Sequence, residues 1–175
     1  MIPPLNSDHG YLPVGRYGAT QSEIQSRFVD HEDFRGNVLR RDLWNEWQNH
    51  LILMEAALGT MPRVWLAGSF VSATVEPADV DVFYGVPPTC WDRLSSDDLE
   101  DLNNLWTAGW CRSHSMRVDA YGTRLVSEVH FDDLTPGRMG DDNLRAIQSL
   151  GLYDEIWHRT RLGSSVRRGY LEVQL

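Results

Sequence analysis

The sequence of 175 residues contains no lysine; all 16 of its basic Lys/Arg positions are arginines. This absence excludes Schiff-base chemistry, a lysine general base and a P-loop, because each of these needs a lysine amine. Any positive group that touches a phosphate ligand must therefore be an arginine, a metal ion or a backbone amide. Arginine without lysine is also what a GC-rich coding sequence produces, so the bias alone indicates no function.

Cysteine is scarce as well, and long apolar runs are missing. Cys90 and Cys111 are too few and too far apart for a CxxC metal site, and two thiols favour a packing role in a reducing compartment. Residues 1–15 lack a basic segment followed by an apolar one, and no apolar run approaches the length of a membrane span. We therefore expect a cytoplasmic protein with no membrane partner.

Basic residues are fewer than acidic ones. Asp plus Glu number 25 against 16 basic residues, which gives a formal net charge of −9. Broad, sequence-independent binding to nucleic acid needs a basic surface, so it is not expected here. One structured RNA end docked on a local basic patch stays compatible with this charge.

Two aspartates close behind a Gly-Ser pair are the most informative feature present. Gly68-Ser69 ends a short apolar run, and residues 70–78 separate it from Asp79-Val80-Asp81. Period-two alternation places both carboxylates on one face of a strand, where they repel each other unless a cation lies between them. A Gly-Ser turn can offer backbone N–H groups to phosphate oxygens. A hard divalent metal beside a phosphate-binding turn is typical of phosphoryl or nucleotidyl transfer.

The motif Leu66-Ala67-Gly68-Ser69, followed after this spacer by Asp79-Val80-Asp81-Val82, resembles that of the polymerase-β-like nucleotidyltransferase superfamily, over residues ~60–122. The resemblance implies an α/β (α+β) fold, a small mixed β-sheet flanked by helices, like the polymerase-β palm. It also implies transfer of a nucleoside monophosphate from an NTP, ATP being the expected one, with two Mg²⁺ ions. Gly68 and Ser69 would then bind the nucleotide, and Asp79 and Asp81 the metal.

The same resemblance implies a third carboxylate on a neighbouring strand. Residues 116–121 alternate as a half-buried strand does, and Asp119 lies between apolar neighbours. A helix that crosses between the two strands is indicated by Ser95 or Ser96 as N-cap, followed by acidic residues and leucines at helical spacing. We therefore assign the third metal or base position of the family to Asp119.

A cluster of arginines near the C-terminus is the densest basic stretch, formed by Arg159, Arg161, Arg167 and Arg168. It is interpreted either as a solvated tail or as a clamp for the phosphates of an NTP or of an acceptor. Under the second interpretation Arg167 and Arg168 bind the nucleotide. Arg40, by contrast, is expected on the outer face of a long helix.

The chain is expected to comprise an extended N-terminal arm, residues 1–19, and a single domain, residues 20–175. We predict a first helix from Thr20 or Ser22 that includes Phe28, and further helices over about residues 34–58, 96–108 and 142–159. We also predict a short helix between the Gly-Ser turn and Asp79, a strand over residues 123–131 and an edge strand over residues 166–175.

The resemblance thus implies a Mg²⁺-dependent nucleotidyltransferase whose acceptor is a protein, a tRNA end or a small molecule, in a setting such as a toxin–antitoxin or phage-defence system. A protein partner is compatible with this prediction. The alternative is a weakly active or inactive protein of the same fold that binds a nucleotide or a partner chain. A metal-dependent nuclease fits less well, because it leaves the Gly-Ser turn without a role.

Overall fold

A mixed five-stranded sheet forms the centre of the protein in a computed structural model that describes residues 1–161 and 165–175. The strands are β1 (Arg16–Thr20), β2 (Arg63–Ala67), β3 (Val80–Val86), β4 (Val118–Arg124) and β5 (Tyr170–Gln174), in the order β1-β5-β2-β3-β4. The pairs β1–β5 and β3–β4 are parallel, whereas β2 runs antiparallel to both β5 and β3. The predicted α/β class with a mixed sheet is confirmed; residues 162–164 of the predicted domain lie outside the described residues.

Helices connect and cover these strands. They are α1 (Gln21–Phe28), α2 (Val38–Leu58), α3 (Pro88–Trp91), α4 (Ser96–Leu105), α5 (Ala108–Ser113) and α6 (Asp141–Trp157), with 3₁₀ turns at Glu32–Phe34 and Phe131–Asp133. Local signals define their ends: Thr20 and Ser95 form capping boxes, and Gly59 ends α2 in the left-handed conformation. No helix in the described part of the chain is long and apolar enough to cross a membrane.

The sheet separates two hydrophobic clusters because successive side chains of a strand point to opposite faces. On one face, Val80, Val82 and Tyr84 of β3 pack in the main core, to which α1, α2, α4 and α5 contribute. Trp44 and Trp47 of α2 belong to this core. On the other face a smaller, mostly aromatic cluster consists of Trp65, Ala67, Phe83, Trp157 and Tyr170. The carboxylates of the next section lie on this second face.

Both ends of the chain differ from the prediction. The C-terminal strand β5 lies inside the sheet, between β1 and β2, and not at an edge. Residues 16–19 of the predicted arm belong to β1, whose Arg16 pairs with Tyr170 of β5. Leu12 is fully buried, so this part of the arm is also packed into the domain. Pairing between segments about 150 residues apart is a tertiary interaction, which the local pattern does not reveal.

The connections differ in detail. Residues 68–73 form turns, so the helix predicted before Asp79 is absent. The strand predicted over residues 123–131 contributes only its first two residues to β4, and the helix predicted over about residues 96–108 ends at Leu105 before α5 begins. Arg124, the last residue of β4, forms an ion pair with Asp92, in which Nε lies 2.9 Å from Oδ1.

Candidate active site

Two neighbouring strands bring the three predicted aspartates to one cleft. Asp81 of β3 lies directly opposite Asp119 of the parallel strand β4, so their side chains emerge on the same face. Asp79 precedes β3 by one residue, and period-two spacing gives it the same side as Asp81. All three line a cleft of about 510 Å³. The convergence on which the sequence prediction depends is therefore present.

Negative charge in this cleft is incompletely compensated. Burial, followed by the charge of Asp79, raises the pKa of Asp81 to about 6. Burial, followed by the charge of Asp119, likewise raises the pKa of Asp79 above its ordinary value. Arg112 offsets part of this effect, with Nη2 4.0 Å from Oδ2 of Asp79. Carboxylates in such a setting bind a proton or a cation more readily than exposed ones do.

The Gly68-Ser69 turn lies directly against Asp81. Gly68 has φ +79°, and a Cβ atom added there would lie 1.6 Å from Oδ2 of Asp81. Only glycine meets both conditions, because an L side chain is disfavoured at this φ and would overlap the carboxylate. Ser69 follows and lines the cleft. The glycine thus lets a turn approach the acidic face of the sheet, next to a serine whose contact with phosphate stays a prediction.

Arg40 of α2 anchors the turns that follow Ser69, contrary to the expectation that it lies on the outer face of the helix. Its side chain is fully buried and donates hydrogen bonds to four backbone carbonyls, those of Phe28, Phe70, Ser72 and Thr74, at 2.6–2.9 Å. Its guanidinium lies 3.8 Å from the ring centroid of Phe34. Burial lowers the pKa of Arg40 to about 10, so it stays charged at neutral pH. The carbonyl oxygens replace the water that an arginine on an outer helix face would have bound.

This anchor connects to the cleft through one serine. The Ser72 hydroxyl donates a hydrogen bond of 2.7 Å to the Ser69 carbonyl, while the Ser72 carbonyl accepts from Arg40. The backbone of the Gly-Ser turn is thereby tied to the buried guanidinium.

The arginine cluster divides between two environments. Arg159, Arg161 and Arg168 line the cleft. Two hydrogen bonds to the end of α6 hold Arg168 there. Its backbone N–H donates to the His158 carbonyl at 3.0 Å, and its Nε donates to the Trp157 carbonyl at 3.1 Å. Arg167 does not line the cleft; its Nη2 donates to Oε2 of Glu155 at 2.8 Å. Of the two arginines predicted to bind nucleotide, the structure therefore brings only Arg168 to the aspartates.

Three tyrosines also line the cleft: Tyr11, Tyr121 and Tyr153. The Tyr121 hydroxyl donates a 3.0 Å hydrogen bond to Oδ2 of Asp119, and burial raises the pKa of Tyr121 to about 12, so it stays a donor. Sequence reasoning missed all three. For Tyr121 the signal was available, because it follows Asp119 by two residues on the same strand face. For Tyr11 and Tyr153 no local pattern points to the cleft.

The donor chemistry of the cleft suits a hard cation, but the ligands are not gathered in advance. Carboxylate oxygens are the ligands that Mg²⁺ prefers, and Asp79 and Asp81 repel each other without one. Within residues 1–161 and 165–175, no group of three or more His, Cys, Asp or Glu side chains is placed so that it could hold a metal ion. The expectation of metal binding therefore rests on the type of donor atoms in the cleft and not on a preformed set of ligands.

Comparisons with known proteins give a family and no activity. A search of the curated proteins and a search of the solved structures each found no match. One family, described as a family of unknown function (DUF6932), matches residues 3–174, from the N-terminal arm to the last strand. The chain belongs to this family.

Proposed function

We propose that this chain is a nucleotidyltransferase of the polymerase-β-like fold, which moves a nucleoside monophosphate from an NTP to a hydroxyl group of an acceptor. One observation carries the proposal: Asp81 and Asp119 are paired across parallel strands, beside Asp79, in a cleft that Arg161 and Arg168 also line. Carboxylates and guanidinium groups in one cleft suit a ligand that combines phosphates with a bound cation.

The arginines and the turn would hold the phosphate chain. Among the described residues, neither Arg161 nor Arg168 has a carboxylate oxygen within the 4.0 Å that defines an ion pair. Their charges are thus available to phosphate oxygens, as the sequence interpretation of the cluster requires. Ser69 offers a hydroxyl and an amide at the end of the turn that Gly68 brings against Asp81.

The reaction needs one proton transfer and one displacement. The acceptor hydroxyl oxygen attacks the α-phosphorus, its proton passes to a carboxylate, and the bond from the α-phosphorus to the bridging oxygen breaks as pyrophosphate leaves. Asp119 is the proposed base. Its Oδ2 already accepts from Tyr121, which fixes the orientation of that carboxylate and leaves Oδ1 for the acceptor.

Asp79, Asp81 and Asp119 are the residues that would hold Mg²⁺. When bound, the ion would neutralise charge that develops on the phosphates. The fit rests on their oxygen donors and on the raised pKa of both Asp79 and Asp81, which burial and the neighbouring carboxylates cause and which a bound cation would offset. ATP is the expected nucleotide, and the acceptor is a protein, a tRNA end or a small molecule.

Transfer of radioactive label tests the proposal. The purified chain is incubated with each of the four α-³²P-labelled NTPs, Mg²⁺ and a cell lysate, and the products are separated as macromolecules and small molecules. We expect label on one acceptor class with the wild type and none with Asp79→Ala or Asp119→Asn. Asp101→Asn, an exposed carboxylate of α4, is the matched control and should behave as wild type. Absence of label on every fraction would refute catalysis, and equal labelling by Asp119→Asn would refute the role of Asp119 as the base.

Binding without turnover is the second candidate. It is favoured by the finding that no metal-holding group is assembled in the described residues. Release of pyrophosphate separates the two. Calorimetric binding of NTP with no pyrophosphate released in the presence of Mg²⁺ would select the binding protein, and Mg²⁺-dependent release would exclude it.

A further inference from the structure

The tyrosine hydroxyls of this protein fall into two groups. Four of the six have hydrogen-bond partners: Tyr17 with the carbonyls of Pro13 and Val14, Tyr84 with His50, Tyr121 with Asp119, and Tyr170 with Asp154. The hydroxyls of Tyr11 and Tyr153 have no such partner among the residues that the structure describes, and both side chains line the cleft. A half-buried hydroxyl that faces a cleft without a protein partner is available to a ligand.

Tyr11 is rigidly placed, although it belongs to the N-terminal segment. A tight loop precedes it, closed by hydrogen bonds from the Asn6 amide to the Tyr11 carbonyl and from the Gly10 amide to the Asn6 carbonyl, both 2.8 Å. The residues on either side of Tyr11 form backbone hydrogen bonds with other parts of the domain. The Gly10 carbonyl accepts from the Ala73 amide at 2.8 Å, and the Leu12 carbonyl accepts from the Gly169 amide at 2.9 Å.

Two glycines allow this close docking. Gly10 has φ +72°, and a Cβ there would lie 2.8 Å from Cβ of Ala73. A Cβ on Gly169 would lie 2.1 Å from the Pro13 carbonyl oxygen. The loop thus packs between the turns after Ser69 and the segment that leads into β5. Tyr11 reaches the cleft from a fixed backbone and not from a loose arm.

Positive charge next to Tyr11 indicates the chemistry of its ligand. Tyr11 and Arg168 line the same cleft. Neither Arg168 nor Arg161 has an ion-pair partner among the described residues. A neutral O–H donor beside such guanidinium groups suits the oxygens of a polyanion.

We propose that Tyr11 is a ligand-contacting residue, which donates its hydroxyl to the phosphate chain of the bound nucleotide next to Arg168. The identity of the ligand as a nucleotide rests on the proposed function; the contact with a phosphate chain does not. The N-terminal loop is then part of the binding site, although it lies outside the motif that indicates nucleotidyl transfer.

Calorimetric titration of the full chain tests this assignment with two probes, inorganic tripolyphosphate and an ATP analogue with a methylene bridge between the α- and β-phosphates, each with Mg²⁺. We expect Tyr11→Phe to weaken both by about tenfold, which corresponds to loss of a hydrogen bond to a charged group. Tyr17→Phe is the matched control, because its hydroxyl bonds the arm at Pro13 and Val14 but lines no part of the cleft.

Each other outcome has a defined consequence for the contact or for the proposed function. Equal affinity of Tyr11→Phe and wild type refutes the contact and leaves the proposed function standing. Weaker binding of the ATP analogue alone assigns Tyr11 to the nucleoside and refutes the phosphate contact. Equal weakening by Tyr17→Phe, or a lower urea midpoint for Tyr11→Phe, shows a structural role for the hydroxyl and refutes direct contact. If wild type binds neither probe, both proposals fall; if Tyr11→Phe weakens tripolyphosphate but no label is transferred, the contact stands and catalysis falls.

Discussion

Replacing Asp81 by asparagine should make this protein more stable at alkaline pH. Asp81 lies opposite Asp119, next to Asp79, and burial is the main reason that its pKa is raised to about 6. In the unfolded chain the carboxyl titrates near its ordinary value of 3.8. The folded protein therefore binds a proton at Asp81 between about pH 4 and pH 6 that the unfolded chain does not bind.

The sign and size of the effect follow from this difference. Because the folded state binds more protons in this range, stability decreases as pH rises from 4 to 6 and stays at its lower level above it. A shift of about two pH units corresponds to about 3 kcal/mol at roughly 1.4 kcal/mol per unit. Loss of the attraction to Arg168 offsets part of this gain. We expect Asp81→Asn to gain about 1–3 kcal/mol at pH 8 and under about 1 kcal/mol at pH 4.

Urea unfolding of both proteins at pH 8 and pH 4, without divalent cations, measures these free energies. The exposed residue Asp101 supplies the control: Asp101→Asn should leave the free energy of unfolding within about 0.5 kcal/mol of wild type at both pH values. An Asp81→Asn protein that is no more stable than wild type at pH 8 would refute the claim that the charge of Asp81 is poorly compensated in the folded protein.

Two further substitutions test how the Gly-Ser turn is held. Arg40→Met removes the donor for four backbone carbonyls and should lower the free energy of unfolding by at least about 3 kcal/mol in urea titrations; a loss under about 1 kcal/mol would contradict the anchoring role. Gly68→Ala adds a Cβ that would lie 1.6 Å from Oδ2 of Asp81, and should lower stability by more than the about 1–2 kcal/mol of left-handed strain alone. Gly59→Ala measures that strain by itself, because Gly59 has φ +66° and no atom within 4 Å of an added Cβ; equal losses for the two variants would refute the overlap with Asp81.

Local patterns predicted the elements that carry the aspartates. Period-two alternation placed Asp81 and Asp119 on strand faces, and the structure pairs them in register because β3 and β4 are adjacent and parallel. Helix ends were equally predictable: Thr20 caps α1, and Gly59 ends α2, through bonds within a few residues of chain. The strand faces and the helix ends depend on neighbours close in sequence, whereas the pairing of β3 with β4 does not.

Features that depend on distant segments could not be predicted in this way. Strand β5 lies inside the sheet because β1 pairs with its outer side, and the sequence of the last residues contains no sign of that partner. Arg40 is buried because carbonyls about 30 residues further along the chain surround it, although its helical position alone indicates a solvated face. Arg167 and Arg168 are adjacent in sequence, yet only Arg168 lines the cleft, while Arg167 pairs with Glu155.

The most direct measurement of the central claim is a Mn²⁺ titration followed by electron paramagnetic resonance, with Mn²⁺ in place of Mg²⁺ and the methylene-bridged ATP analogue present. We expect wild type and Asp101→Asn to bind the ion with the same affinity, and Asp79→Ala and Asp119→Asn to bind it at least about tenfold more weakly, because each removes a carboxylate oxygen from the cleft. Equal Mn²⁺ affinity in all four proteins would show that these aspartates do not hold a metal ion with the nucleotide.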